Sequence, residues 1–204
     1  MPVLQPSEYD ISYFDGKLGP YKHNAGYTVY NRYPRIHNDF VPAEQSTGDY
    51  WKDLALKYNL DHSLQNKKVL ELGCAKGFVV EAMRDLGINA YGLDVSQYVH
   101  DCAREDIKPY LTVADARTAL SQYGNREFAY LFTRWTLCCF TDAEIEAMVT
   151  QMNRIAVQQV HWIMETGNTT YYNLKPIQTL IDQFGWKKGT IFIRSGNVNT
   201  IYRK

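Results

Sequence analysis

The sequence predicts an α/β fold, a mostly parallel sheet with helices on both faces, on three observations. From Lys68 onward, short apolar runs alternate with segments whose apolar residues recur every three or four positions, the pattern of strands feeding helices. Two of those runs end in turn residues or an acidic residue, Val69-Leu70-Glu71-Leu72-Gly73 and Ala90-Tyr91-Gly92-Leu93-Asp94. With 204 residues, 45% of them apolar, the chain is long enough for one well-buried domain and too short for two ample ones.

The elements follow in order. Residues 1–48 hold Tyr9, Tyr13, Phe14, Tyr21, Tyr27, Tyr30, Tyr33 and Phe40 among glycines and prolines with no sustained period, and are read as an ordered aromatic arm of the same domain as residues 49–204. Ser46-Thr47-Gly48-Asp49 offers capping groups for a helix through Trp51, Leu54, Ala55 and Tyr58, and 61–67 is a polar connection. Val69–Leu72 is the first strand; the helix Phe78–Leu86 turns Phe78, Val79, Ala82, Met83 and Leu86 inward and stops at Gly87. A second strand, Ala90–Leu93, leads to a helix capped by Ser96 and packed through Tyr98, Val99, Cys102 and Ala103. Tyr110–Val113 is a third strand, followed by a short helix, and Phe128–Phe132 is apolar enough for a central strand. Thr141-Asp142-Ala143-Glu144 is a capping box opening a helix with Ile145, Met148, Val149, Met152 and Ile155 on one face. Val160–Met164 is read as a fifth strand, and Pro176 starts a helix with Ile177, Leu180, Ile181 and Phe184 inward and Gly185 at its end. Thr190–Arg194 and Val198–Arg203 flank Ser195-Gly196-Asn197 as a terminal antiparallel hairpin.

Chemistry concentrates in Glu71-Leu72-Gly73-Cys74-Ala75-Lys76-Gly77, where a strand delivers an acidic residue and two glycines to the mouth of a helix. Gly73 can take a positive φ, and Gly77 would let backbone approach a ligand. Glu71 would repel phosphate but suits an ammonium group or hydroxyls. The spacing is Gly-x-x-x-Gly, without the close second glycine of the dinucleotide pattern. The segment resembles motif I of the class I S-adenosylmethionine-dependent methyltransferases, and the likeness covers 49–204. It implies a Rossmann-like, doubly wound, seven-stranded mixed sheet with an antiparallel C-terminal hairpin, and S-adenosylmethionine as cofactor. Asp94 then matches the acidic residue that accepts the ribose hydroxyls, and Asp115 with Ala116 the place where adenine is met. Taken alone, Asp115 could equally be a helix cap. The cofactor-binding set implied is Glu71, Gly73, Cys74, Ala75, Gly77, Asp94, Val95, Asp115, Ala116, Thr133 and Trp135, with Tyr13 and Tyr21 from the arm.

Other classes are disfavoured. Lysine plus arginine and aspartate plus glutamate each number 22, so the chain lacks the basic footprint of nucleic-acid binding. Four cysteines, Cys138 and Cys139 adjacent and Cys74 and Cys102 isolated, fit neither a zinc pair nor a disulfide framework and are read as buried reduced thiols; no metal site is expected. No leader-like or membrane-spanning segment is evident, which predicts a cytoplasmic protein without a membrane partner.

For the methyl acceptor, the loop Thr133-Arg134-Trp135-Thr136-Leu137-Cys138-Cys139-Phe140 lies where relatives receive substrate, but lacks both their acidic-histidine step and an N-P-P-Y tetrapeptide. Trp135 could wall the cofactor, stack on an acceptor or plug the sheet's edge; Arg134 could meet a carboxylate or simply be solvated. Catalytic candidates are Glu165, Tyr27 and Trp135. His161, on Glu165's strand, is read as structural, and His100 has no partner that sequence can verify. Tyr13, Tyr21 and Tyr27 beside Gly16, Gly19 and Gly26 suggest a lid, or ordinary packing. Lys17, Lys22, His23, Arg32, Arg35 and His37 suit a phosphorylated or carboxylated acceptor, or a solvated face. The expected activity is methyl transfer to a small molecule or a glycan or sugar-nucleotide precursor by in-line displacement. The alternatives are a protein or peptide methyltransferase and a non-catalytic cofactor-binding module.

Overall fold

The computed structural model describes residues 5–15, 43–47, 49–133, 136–156, 164–166, 187–194 and 197–203, with backbone alone for the last three ranges and for Ala43 and Cys138. The helices are α1 (Ile11–Phe14), α2 (Tyr50–His62), α3 (Phe78–Asp85), α4 (Gln97–Asp101), α5 (Ala116–Ala119) and α6 (Asp142–Ile155). The strands are β1 (Lys68–Leu72), β2 (Asn89–Asp94), β3 (Leu111–Val113), β4 (Tyr130–Thr133), β5 (Met164–Thr166), β6 (Lys187–Arg194) and β7 (Asn197–Arg203).

The first four strands form a parallel sheet in the order β3-β2-β1-β4. Leu72 is level with Leu93 on one side and Thr133 on the other, so the carboxyl ends of β1, β2 and β4 finish together and their loops open on one rim. That rim is where open α/β sheets bind ligands.

Strand alternation sorts the core into two layers. Leu70 and Leu72 of β1, Leu93 of β2 and Leu131 of β4 face α6, whose Ile145, Met148, Val149, Met152 and Ile155 are all buried. Val69 of β1 and Tyr130 and Phe132 of β4 face Leu54, Ala55 and Tyr58 of α2 and Val79, Ala82 and Met83 of α3. Tyr58 stacks on Phe132 with ring centroids 4.9 Å apart. These stripes follow the periods read from sequence, 2 in the strands and 3.6 in the helices.

Caps fix the helix starts. Asp49 accepts from the N–H groups of Trp51 and Lys52, Ser96 from Val99, and Thr141 and Glu144 bond reciprocally as a capping box. Inside α2, fully buried Asp53 accepts from the upstream Ser46 Oγ at 2.6 Å and from Thr47 N and Oγ1 at 2.7 Å. That ties the end of the aromatic arm to the helix.

Several expectations change. The strand read at Phe128–Phe132 begins at Tyr130, and among the described residues it follows β1 in the parallel sheet. Phe128 N–H donates to Ile155 O, while Ala129 N–H reaches Lys68 O on the opposite side, so Phe128 bridges in parallel to Ala156 where the chain leaves α6. The described part of the fifth strand is Met164–Thr166, and it pairs antiparallel with β7, as does β6, in a separate three-stranded sheet of order β5-β7-β6. Tyr110 closes a 3-10 turn instead of opening β3. Of the cysteines expected to be buried, Cys74 is, Cys139 is partly exposed and Cys102 is exposed, because α4 ends at Asp101 and Cys102 turns outward while Ala103 packs inward. The helix expected after Pro176 lies outside the described residues, as do Val160–Ile163 and the Ser195-Gly196 turn.

Candidate active site

The glycine turn after β1 folds back on β2. Gly73 has φ +69°, and the N–H groups of Gly73 and Cys74 both donate to Leu93 O, at 2.8 and 3.2 Å. Ala75, at φ +47°, donates its N–H to Asp94 Oδ2 at 2.8 Å; Ser96 N–H donates to Asp94 Oδ1 at 3.0 Å. One carboxylate therefore joins the turns after β1 and β2. Burial raises the pKa of Asp94, and the N–H groups of Ser96, Ala75 and Val95 pull it back. Each Asp94 oxygen spends one lone pair on the backbone and keeps another for a ligand donor.

The two glycines are needed for different reasons. A Cβ on Gly73 would lie 1.9 Å from Thr136 Oγ1, whose hydroxyl donates to Leu72 O at 3.0 Å, so the turn after β1 and the loop after β4 touch through a missing side chain. Gly77 has a packing reason that the sequence did not suggest. Its φ is +73°, it stands at the N-cap of α3, and a Cβ there would meet Leu111 Cδ1 at 2.9 Å.

A partly open cleft lies above these turns. It is lined by Gly73 and Ala75 of the first turn, by Leu93, Asp94 and Val95, by Ala114, Asp115, Ala116 and Arg117, and by Thr136, Cys139 and Phe140. Pro6, Tyr9, Tyr13 and Phe14 complete the lining. Of the residues expected from sequence, the cleft thus gathers Tyr13, Gly73, Ala75, Asp94, Val95, Asp115 and Ala116. Glu71, Cys74, Gly77 and Thr133 are buried and do not line it. Glu71 falls on the Val69 face of β1 and is buried there. Tyr21, Tyr27, Arg134, Trp135 and His161 lie outside the described residues, and Glu165 is described only as backbone, paired with Asn199.

Asp115 satisfies the helix-cap reading directly. It accepts from Arg117 N at 2.9 Å and is forked by the Arg117 guanidinium, whose Nη1 also reaches Glu144 Oε1 at 3.0 Å. That guanidinium holds the Asp115 carboxyl below the usual carboxylate range. Arg117 itself was missed, although an arginine two residues after a capping aspartate is its own signal. Tyr9 and Phe14 were missed as lining residues because the arm showed no period; Asp10, which caps α1 by accepting from Ser12 and Tyr13, was the available cue. Among the described residues no cluster of His, Cys, Asp and Glu could hold a metal ion, and no helix is long and apolar enough to cross a membrane.

The family model for a methyltransferase domain matches residues 69–159, from β1 to just past the end of α6. That interval contains the glycine turn, Asp94 and the β3-β2-β1-β4 order. Residues 69–159 thus match a methyltransferase domain, which with the fold supports a class I S-adenosylmethionine-dependent methyltransferase. Structures similar to it include magnesium protoporphyrin IX methyltransferase from Synechocystis PCC 6803 with bound S-adenosylmethionine, 16% identical, covering 100% of this chain and 98% of that one at a TM-score of 0.62. The PH0226 protein from Pyrococcus horikoshii OT3 is 14% identical over 85% of this chain and 96% of that one, at 0.61. A methyltransferase from Aquifex aeolicus is 14% identical over 73% and 88%, at 0.56. A search of curated protein sequences finds no match. At such identities the likeness speaks for the fold. S-adenosylmethionine is the methyltransferase's cofactor, and the open lone pairs of Asp94 in the cleft suit its hydroxyls.

Proposed function

We propose that this methyltransferase acts on a small molecule or on a glycan or sugar-nucleotide precursor. The observation carrying this reading is the roof: Pro6, Tyr9, Tyr13 and Phe14 line the cleft together with the glycine turn and Asp94. A protein or peptide acceptor would instead need an open groove.

In this reading Asp94 takes the ribose hydroxyls, because a carboxylate with one free lone pair on each oxygen suits a vicinal diol. The turn Gly73, Cys74, Ala75 and Gly77 wraps the methionyl part, with Glu71 and Thr133 behind it; Val95, Asp115 and Ala116 flank adenine, and Tyr13, Tyr21 and Trp135 close the site. Glu165, Tyr27 and Trp135 are the groups proposed at the acceptor. Bound S-adenosylmethionine supplies an already electrophilic methyl group. The chain's own task is therefore to orient the acceptor for in-line displacement and to exclude water, and orientation of two reactants can supply on the order of 7–11 kcal/mol of the barrier. A base is needed only where the acceptor atom carries a proton. Residues 1–48 serve as a lid of the same domain as 49–204. Asp15 and Ser46-Thr47 tie that lid down near its two described ends, at Lys76 and at Asp53. The two described sheets belong to one seven-stranded mixed sheet.

The test is to incubate the protein with S-adenosylmethionine carrying an isotope-labelled methyl group and with separated small-molecule and protein fractions of cell extract. Label should enter the small-molecule fraction, with stoichiometric S-adenosylhomocysteine, and Asp94→Ala should abolish it. Label confined to the protein fraction would contradict the acceptor class. Cofactor binding without product in either fraction would leave a binding module.

A further inference from the structure

We infer that Lys76 is a positioning residue for the cofactor: from inside the glycine turn it clamps the aromatic roof over the cleft through Asp15, with Tyr98 as the second jaw. The inference rests on the cofactor reading above, and assigns the closure of that site to three residues that do not line it.

Lys76 follows Ala75, which lines the cleft, and precedes Gly77, which caps α3. Its side chain is only 8% exposed, and its Nζ lies 2.6 Å from Asp15 Oδ2. A buried ammonium is several kcal/mol unfavourable unless it is paired, so this contact fixes where Asp15 can be. Asp15 is the residue immediately after Phe14 and ends α1. Tyr98, on α4, donates its hydroxyl to the same Asp15 oxygen, and the Lys76 Nζ stands 5.5 Å from the centre of the Tyr98 ring. Burial and the adjacent carboxylate push the Tyr98 hydroxyl's pKa up, so it stays a donor.

The three partners come from three elements that each carry part of the cleft. Lys76 belongs to the turn that supplies Gly73 and Ala75. Tyr98 is on the helix that follows Asp94 and Val95. Asp15 ends the segment that supplies Tyr9, Tyr13 and Phe14. Beside the polar clamp, Phe14 is 4% exposed and packs with Ala75 and Val99, so an apolar contact and an ion pair act at the same seam. Tyr9 and Tyr13 meet edge to face, 4.8 Å apart, which carries the constraint from α1 to the outer part of the roof. The sheet needs none of this: Lys76 and Asp15 are 61 residues apart in sequence, and their bond joins only the roof to the turn. Releasing the clamp therefore frees the roof while the base of the site stays intact.

Such a device governs escape of the ligand more than its entry. The experiment measures association and dissociation rates and Kd for S-adenosylmethionine and S-adenosylhomocysteine with the wild-type chain, Lys76→Met, Asp15→Asn, the double variant, Tyr98→Phe and Asp94→Ala, alongside the melting temperature of each. Lys76→Met and Asp15→Asn should each raise Kd about tenfold through faster dissociation with little change in association, and the double variant should be no worse than either single, because both remove one bond. Tyr98→Phe should shift dissociation in the same direction by less. Should Lys76→Met fail to fold, Asp15→Asn and Tyr98→Phe carry the test. Wild-type dissociation rates in Asp15→Asn and Tyr98→Phe, or fully additive effects in the double variant, would overturn the clamp. If the wild-type chain itself bound neither compound, the cofactor reading would fall; if it bound them and Asp94→Ala did not, that reading stands and the clamp is judged by its own variants.

Discussion

At the scale of single residues, Asp94 carries the most. It was legible in sequence as an acidic residue closing the second strand, and the structure adds that its oxygens already hold the N–H groups of Ala75 and Ser96. A pH dependence follows. Burial raises the Asp94 pKa above its ordinary value of 3.8, so the folded chain takes up this proton more readily than the unfolded one, and Asp94 detracts from stability above that raised pKa. This penalty fades as pH falls toward 3.8. Ligand affinity runs the opposite way, because the ionised form accepts the hydroxyls: affinity for S-adenosylmethionine should weaken as pH falls through the raised pKa, starting where an ordinary aspartate is still ionised. Calorimetric titration across mildly acidic pH checks this, and an affinity flat down to the ordinary aspartate range would count against Asp94 as the hydroxyl acceptor. The glycines were legible as positions but not as reasons. Gly73 makes room for Thr136 and Gly77 for Leu111, contacts between residues 63 and 34 apart in sequence that no local pattern encodes. Lys76 shows the same limit, since a lysine between two turn residues reads as solvated until its partner at Asp15 is known.

At the scale of elements, local chemistry carried much of the reading. Helix α2 with its Asp49 cap, α3 with its strong apolar stripe and α6 with both fall within a residue or two of their expected bounds. Short elements were less legible. The four-residue α1 has a cap and one buried side chain, Phe14, which is too little period to stand out from an aromatic run. The strand around Phe128 starts at Tyr130, two residues after its apolar run, because apolarity reports burial and not where ladder pairing begins. The capping box of α6 gives a prediction at this scale. Thr141→Ala removes the acceptor for Glu144 N–H and should lower unfolding free energy by about 1 kcal/mol. Glu144 keeps its bond to Arg117, so cofactor affinity should stay within about twofold. Urea denaturation with a parallel binding titration measures both, and an unchanged midpoint would mean that the cap adds nothing to α6.

At the scale of the whole molecule, the parallel sheet and the arm meet at one rim. Leu72, Leu93 and Thr133 bring three strand ends level, the turns that leave them define the cleft, and Asp15 on Lys76 and Tyr98 brings the start of the chain onto the same edge. Sequence order revealed the sheet because each βα unit is local, whereas closure of the site depends on segments that come first in the chain and fold onto later ones. A crystal structure with S-adenosylhomocysteine tests the account most directly. It predicts ribose hydroxyls on Asp94, the base beside Asp115 and Ala116, and Tyr9 and Tyr13 over the ligand. A ligand bound away from the turn at 73–77, or none at saturating concentration, would contradict it.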